Sequence, residues 1–180
     1  MEDKRNVIDR YKGWATELIK KDLVVHKFPY AVAMQHIEGD FNISSMWRNA
    51  NFFGASEVFY IGGKKKIDIR GAVGVQHYTD IIHLKTIEEL MALKERYVFV
   101  GVENNIEGCI KLNDFIWPVD RPPLIIFGEE GSGLLPEVIS MCEYIVEVAG
   151  FGSVRSINVG SCSAIIMNDF VSKCNIKHGE

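Results

Sequence analysis

Hydrophobic residues along the chain follow two patterns, short uninterrupted runs and positions that repeat every three or four residues. Short apolar runs are typical of strands buried on both faces, whereas the helical repeat is typical of an amphipathic helix. The runs predict strands over 30–34, 58–61, 81–84, 97–102, 123–127 and 144–148. The repeat and the capping residues predict helices over 5–22, 44–53, 86–96, from Pro136 onward and over 157–173.

Strands that alternate with helices indicate an α/β fold with a mainly parallel sheet and helices on both faces. The chain shows no internal repeat and no linker after residue 30, which predicts one domain over 29–180. An amphipathic helical extension is expected over 1–28, with Tyr11, Trp14 and Leu18 on its apolar face. This extension packs on the domain, or it contributes to a dimer or to an RNA-facing surface.

The composition is that of a globular protein. The 180 residues are 47% hydrophobic and 24% charged, and the mean hydropathy is +0.04. These values exclude wholesale disorder. No stretch approaches the roughly 18 uncharged apolar residues that a membrane-spanning helix needs. Charged residues throughout 1–22 leave no apolar signal-peptide core, so we expect a cytoplasmic protein without a membrane partner.

Charge and cysteine content narrow the function classes further. A net charge of -4 and a pI near 5.8 argue against a strongly basic nucleic-acid binder, so any such contact needs a local patch. Lys64 to Lys66 is the only basic run, and it is either a solvated loop or a phosphate contact. The four cysteines form no C-x-x-C pair and the histidines do not cluster with them, which predicts reduced thiols and no metal.

A glycine-rich loop, 127–134, follows the apolar strand over 123–127. Glycines allow close backbone approach and positive φ angles, as a plain turn or a ligand cradle requires. No lysine follows Gly133, so the loop is not a phosphate-binding P-loop, and its glycine order differs from the dinucleotide fingerprint. Glu129 and Glu130 would repel a pyrophosphate, so the loop favours a neutral or cationic ligand.

Two other segments are expected at the same edge of the sheet, where open parallel sheets bind ligands. In 153–163, Ser156 is the predicted N-cap of the last helix, and Asn158 is expected one turn inside it. In 42–54, apolar residues at helical spacing predict a helix buried on one side, and Arg48 lies beside that face. Taken alone, the segment 153–163 is also consistent with a tightly packed helix start that binds no ligand. Arg48, taken alone, is also consistent with a surface ion pair.

Together the three segments resemble the TrmH/SpoU family of RNA ribose 2'-O-methyltransferases, within the SPOUT superfamily. The matches to the family motifs are Asn42, Arg48, Ala50, Phe53 and Gly54 in N-x5-R-x-A-x2-F-G, Gly128, Glu130, Gly133 and Leu134 in G-x-E-x-x-G-[LI], and Ser156, Ile157, Asn158 and Val159 in S-[LIM]-N-V-S. Three motifs in order form a specific pattern, and the resemblance covers about 30–175. Gly160 stands where the family more often has serine.

The resemblance implies a fold, a cofactor and partners. It implies a parallel sheet with a C-terminal trefoil knot, a homodimer, and S-adenosylmethionine bound in the knot. By position in the motifs, the cofactor would contact Gly128, Val148, Ser156 and Ile157. Glu130 would order the knot loops and the dimer contacts. RNA is the implied substrate, tRNA ahead of rRNA, bound through Arg48, Arg70, Arg155 and the lysine run; no DNA partner is expected.

The resemblance also implies a reaction, in-line transfer of a methyl group to a ribose 2'-oxygen. Arg48 is its key residue. A guanidinium is always charged, so Arg48 is expected to hold the adjacent phosphate and to stabilise alkoxide charge rather than to act as a base. Asn42 and Asn158 would orient Arg48 and the ribose, and Ser156 would anchor the loop. The alternatives are a catalytically silent RNA-binding member and, less favoured, an ordinary nucleotide-binding enzyme.

Overall fold

A computed structural model of the chain describes residues 3–35, 41–63, 67–104 and 106–174. Its strands are β1 Phe28–Gln35, β2 Ala55–Ile61, β3 Ile82–Leu84, β4 Val98–Val102, β5 Ile110–Lys111, β6 Pro123–Phe127 and β7 Tyr144–Glu147. Its α-helices are α1 Thr16–Val25, α2 Phe41–Phe52, α3 Ile87–Met91, α4 Pro136–Met141 and α5 Val159–Lys173. Short 3₁₀ helices lie at Asp9–Tyr11, Ile69–Ala72, Val75–His77, Ala92–Glu95 and Leu112–Asp114.

The seven strands form one sheet in the order β3-β2-β1-β6-β4-β7-β5, and every pairing in it is parallel. Successive side chains of a strand point to opposite faces. In β1, Tyr30, Val32 and Met34 join the core beneath α2 and α5, whereas Ala31 and Ala33 join the core beneath α3 and α4. The predicted fold class, a parallel α/β sheet covered by helices on both faces, is confirmed.

The prediction of one helix over 5–22 is wrong in its first half. α1 begins only at Thr16, because Gly13 adopts a positive φ of 77° and the chain turns there. The Asp3 carboxylate accepts the amide of Gly13 at 2.8 Å and also binds Arg5, which closes the preceding residues into a loop. A glycine inside a helical pattern was the available signal.

Three further differences concern the edges of elements. The helix that begins after Thr86 stays α-helical only to Met91 and then tightens into a 3₁₀ turn. The short edge strand β5 carries no apolar run and was not predicted. Lys64 to Lys66 lie outside the described residues.

No helix in the described ranges is both long and apolar enough to span a bilayer.

Candidate active site

The carboxyl ends of the neighbouring strands β6, β4 and β7 open onto a pocket of about 670 Å³. One wall is the glycine-rich loop over 128–134, and the other is the connection over 148–157 between β7 and α5. The four residues that the family resemblance assigns to the cofactor all line this pocket: Gly128, Val148, Ser156 and Ile157. The sequence thus located the pocket at the sheet edge where parallel folds bind ligands.

The first wall needs glycine at two positions, because two parts of its backbone lie too close together to leave room for a side chain. Glu129 and Gly133 form an antiparallel bridge, with N···O distances of 3.2 and 3.0 Å. A Cβ atom at Gly128 would lie 2.2 Å from the carbonyl carbon of Gly133, which itself has a positive φ of 69°. Both positions therefore exclude a side chain, which lets the backbone of the loop fold tightly on itself beside the pocket.

A cluster of three polar side chains lies beside the pocket. Asn42 Nδ2 donates to Glu130 Oε2 at 2.6 Å, and Asn158 Nδ2 donates to Asn42 Oδ1 at 2.9 Å. The same Asn158 nitrogen lies 3.3 and 3.4 Å from the two oxygens of Glu130. Each residue comes from a different motif, so the structure brings the three sequence segments together at one point.

The start of α5 differs from its prediction. Asn158, not Ser156, is the N-cap: its Oδ1 accepts the amide of Ser161 at 3.2 Å. The side-chain oxygen of Asn158 therefore caps the helix while its nitrogen binds the Asn42–Glu130 pair. Ser156 is exposed and lines the pocket instead. Serine and asparagine are both good N-cap residues, so the sequence does not show which of the two precedes the first turn.

Arg48 occupies a different side of α2. The neighbouring Asn49 faces α5, where its Nδ2 donates to Gly160 O at 2.8 Å and to Ser163 Oγ at 2.9 Å. A Cβ at Gly160 would lie 3.0 Å from the Ser45 Cβ and from Asn158 Oδ1, so a side chain there would require a small shift of these neighbours. Arg48 is exposed and is not among the residues that line the pocket. Six residues of helix also separate it from Asn42, a rise of about 9 Å.

Charge at the pocket is mainly acidic. Glu103, Glu129 and Glu130 line it, and Arg155 is the one basic residue among its described lining residues. Arg70, predicted to contact RNA, pairs with Asp68, which its Nε contacts at 2.8 and 3.0 Å, and its side chain stays 82% exposed. Asp68 raises the pKa of Arg70 through this hydrogen-bonded pair.

Thiol chemistry at the pocket is unfavourable. Cys162 lines the pocket, and burial, with a smaller contribution from the negative charge of Glu103, raises its pKa to about 11. Its thiol is therefore protonated at neutral pH and a poor nucleophile. All four cysteines are free. Among the described residues, no group of three or more His, Cys, Asp or Glu side chains could hold a metal ion.

Two pocket residues were missed by the sequence analysis. Glu103 and Asn104 directly follow β4, and both line the pocket. Glu103 Oε2 accepts the amide of Leu134 at 2.8 Å, and Asn104 Nδ2 donates to the carbonyl of Arg155 at 2.8 Å. The available signal was a polar pair at the carboxyl end of a predicted strand, the rule that had already selected three other segments.

Comparison with known proteins gives a consistent match. The family model described as "SpoU rRNA Methylase family" matches residues 29–168. The tRNA (guanosine(18)-2'-O)-methyltransferase of Escherichia coli (strain K12) is 23% identical over 139 residues, which cover 76% of this chain and 60% of that protein. The mitochondrial rRNA methyltransferase 1 of Dictyostelium discoideum is 25% identical over 158 residues, 81% of this chain and 29% of that protein. The chain thus spans less than two thirds of these curated relatives.

Solved structures show the same fold. The TrmH/SpoU tRNA modifying enzyme of A. aeolicus superposes with a TM-score of 0.73 at 18% identity, covering 89% of this chain and 83% of that one. The SpoU methyltransferase AviRb of Streptomyces viridochromogenes, solved in complex with AdoMet, superposes with a TM-score of 0.72 at 22% identity, covering 87% and 62%.

Proposed function

The chain belongs to the SpoU rRNA methylase family, and on that basis we propose that it transfers a methyl group from S-adenosylmethionine to a ribose 2'-hydroxyl of RNA. The observation that carries this proposal is the junction of three separate segments at one site. Asn42, Glu130 and Asn158 meet beside a pocket that the cofactor residues of the family motifs line.

The pocket fits S-adenosylmethionine in size and chemistry. A volume of about 670 Å³ lies in the ordinary range for a small-molecule site. The wall carries no side chain at Gly128 and Gly133, so an adenine can approach its backbone closely. The nearby carboxylates of Glu103, Glu129 and Glu130 favour a ligand that carries positive charge. Gly128, Val148, Ser156 and Ile157 are the residues that hold it.

Bound S-adenosylmethionine supplies an electrophilic methyl group on a positively charged sulfur. The protein positions the ribose so that its 2'-oxygen attacks the methyl carbon in line with the sulfur, while the hydroxyl proton passes to solvent. Arg48 holds the phosphate next to the target ribose and stabilises the negative charge that develops on the 2'-oxygen. Asn42 and Asn158 bind Glu130, so they fix the junction of α2 with both pocket walls. Ser156 anchors the second wall at the pocket.

A homodimer completes this site. Arg48 is exposed and lies outside the pocket of its own chain, which leaves it accessible to the pocket of a second copy. Large apolar side chains exposed beside the pocket and on α5 support such an interface. Phe151 is 96% exposed and Ile165 is 42% exposed, although both are residues that water solvates poorly.

tRNA is the preferred substrate and rRNA is the second. The Escherichia coli relative is named as a tRNA methyltransferase, and the Dictyostelium discoideum relative as an rRNA methyltransferase. Because the chain is acidic overall, RNA binds through a local set of cations, of which Arg48 and Arg155 are exposed near the site. Such binding weakens as salt rises, since phosphate contacts release counterions.

The deciding experiment incubates the protein with methyl-labelled S-adenosylmethionine and separate pools of unmodified tRNA and rRNA. Nuclease digestion then identifies the labelled atom. Label on a ribose 2'-oxygen of tRNA is the expected result. Label in rRNA alone retains the chemistry and reverses the choice of substrate. Label in neither pool, with S-adenosylmethionine still bound, contradicts the proposal and favours a silent RNA-binding member of the family.

A further inference from the structure

We propose that Glu103 and Asn104 act as a two-residue latch that holds the two walls of the pocket at a fixed separation. The inference rests on the proposed function only in naming S-adenosylmethionine as the ligand. Both residues follow β4 at the centre of the pocket floor, and each reaches a different wall. They are positioning residues, because they act on the ligand through the loops that they hold.

Glu103 binds the glycine-rich wall. Its Oε2 accepts the amide of Leu134 at 2.8 Å, while its Oε1 accepts the amide of Asn104 at 3.0 Å. A Cβ at Gly133 would lie 2.2 Å from the same Oε2, so this carboxylate reaches the wall only because residue 133 is glycine. Hydrogen bonds to a charged acceptor are about twice as strong as neutral ones. The contact is therefore a firm attachment of the loop to the sheet.

Asn104 binds the second wall, which has few other attachments. Every residue from Phe151 to Asn158 is exposed, and no backbone-to-backbone hydrogen bond joins 149–157 to another residue in the described ranges. Asn104 Nδ2 donates to the carbonyl of Arg155 at 2.8 Å, in the middle of this exposed segment. The bond fixes the backbone between Ser156, which lines the pocket, and Val154 on its other side.

The base of the latch is itself rigid. The amide of Glu103 donates to Val146 O of β7 at 3.1 Å, so the two residues cannot move independently of the sheet. Gln35 supports the glycine-rich wall from β1, where its side chain accepts the amide of Leu135 at 2.8 Å. The first wall is thus also held by Gln35 and, through Glu130, by Asn42, whereas Asn104 supplies the described side-chain bond to the second wall. Without the Asn104 donor, the segment 153–157 is expected to move away from the first wall, which widens the pocket on that side.

The test measures binding of S-adenosylmethionine by calorimetry and amide hydrogen exchange in the free protein. Asn104→Ala removes the donor, and Asn104→Asp keeps the shape but presents only acceptors. Asn104→Gln keeps the donor and is the rescue variant. Asn113→Ala, at an exposed asparagine far from the pocket, is the matched control.

Because each variant loses one hydrogen bond, we expect Asn104→Ala and Asn104→Asp to weaken cofactor affinity about five- to tenfold. We expect faster exchange in 153–157, an unchanged melting temperature, and at least partial recovery in Asn104→Gln. Glu103→Gln is expected to speed exchange of the Leu134 amide instead. Unchanged affinity and exchange in Asn104→Asp would overturn the latch, as would equal effects in Asn113→Ala.

The two proposals fail in different ways. A wild-type protein that does not bind S-adenosylmethionine contradicts the proposed function, whereas the exchange rates of the free protein still decide whether the latch exists. A wild-type protein that binds the cofactor, with variants that lose only melting temperature, leaves the function intact and contradicts the latch.

Discussion

Asn42 and Glu130 are 88 residues apart in sequence, and a 2.6 Å hydrogen bond joins their side chains beside the pocket. Asn42 lies in the first turn of α2, and Glu130 lies in the glycine-rich wall. Asn158, the cap of α5, donates to both. The carboxylate therefore accepts from two amides and fastens both helices to one pocket wall. Since each partner is partly exposed, the arrangement serves geometry more than stability.

Glu130→Gln is expected to lower turnover about a hundredfold, because misplacement of reacting groups by about 1 Å has an effect of that size. The substituted amide presents a donor where two donors already converge. Cofactor affinity should change less than about threefold, which calorimetry can verify. Glu137→Gln, at an exposed glutamate of α4, is the control and should retain full turnover. Equal turnover in both variants would show that Glu130 does not position the reacting groups.

Gly128→Ala should abolish cofactor binding. The added Cβ would lie 2.2 Å from Gly133 C, so the bridge between Glu129 and Gly133 has to open. Overpacking of this kind costs about 1–3 kcal/mol of stability, so the melting temperature should fall as well. Gly74→Ala, outside the pocket lining, is the matched control, because its positive φ of 93° makes alanine unfavourable while a Cβ there meets no atom within 4 Å. Retained binding in Gly128→Ala would show that the wall tolerates a wider turn.

Particular residues show how far the sequence predicts this molecule. Strands such as 123–127 were located by their apolar runs, because burial on both faces leaves a purely local signal. The motifs also selected Gly128 and Ile157, and both residues line one pocket. The order of the strands depends on contacts between distant segments, and no local period encodes it. The choice between Ser156 and Asn158 as the cap of α5 likewise depends on the path of the preceding loop.

Arg48 marks another limit of the sequence. Its motif identified the residue, yet its exposure on α2 followed only from the packing of Asn49 against α5. Glu103 and Asn104 belong to none of the three motifs, and their role follows from two loops that meet only in the folded chain.

Alkaline pH should destabilise the protein partly through Cys162. Its pKa is raised to about 11, chiefly by burial, whereas an unfolded thiol ionises near 9. As the pH rises, the Cys162 thiol therefore stays protonated in the folded state after it has ionised in the unfolded state. Its contribution to the free energy of unfolding is fully present below about pH 9 and is lost as the pH rises towards 11. Cys162→Ala removes this dependence. Urea unfolding should show that the difference in free energy of unfolding between wild type and Cys162→Ala changes by about 1–2 kcal/mol between pH 8 and 11. A constant difference would contradict the raised pKa.

Arg48→Ala should reduce methyl transfer by about two to three orders of magnitude, the effect of removing a group that stabilises developing negative charge. Cofactor affinity should stay unchanged, because Arg48 is assigned to the RNA phosphate and the 2'-oxygen rather than to the cofactor. Arg48→Lys keeps the charge but loses the planar fork, so we expect intermediate turnover. Single-turnover assays with tRNA and calorimetry with S-adenosylmethionine separate the two effects. Loss of cofactor binding in folded Arg48→Ala would argue against this role.

A mixture of Arg48→Ala and Gly128→Ala tests whether two copies share one site. Each variant alone should be inactive, the first without its cation and the second without its pocket. In a mixed dimer, the Gly128→Ala copy supplies Arg48 to the intact pocket of its partner, so random exchange should restore about a quarter of wild-type activity. Sedimentation should show a dimer, and co-purification of an untagged Gly128→Ala copy with a tagged Arg48→Ala copy measures the exchange. A mixture that stays inactive despite proven exchange would show that each chain uses its own Arg48.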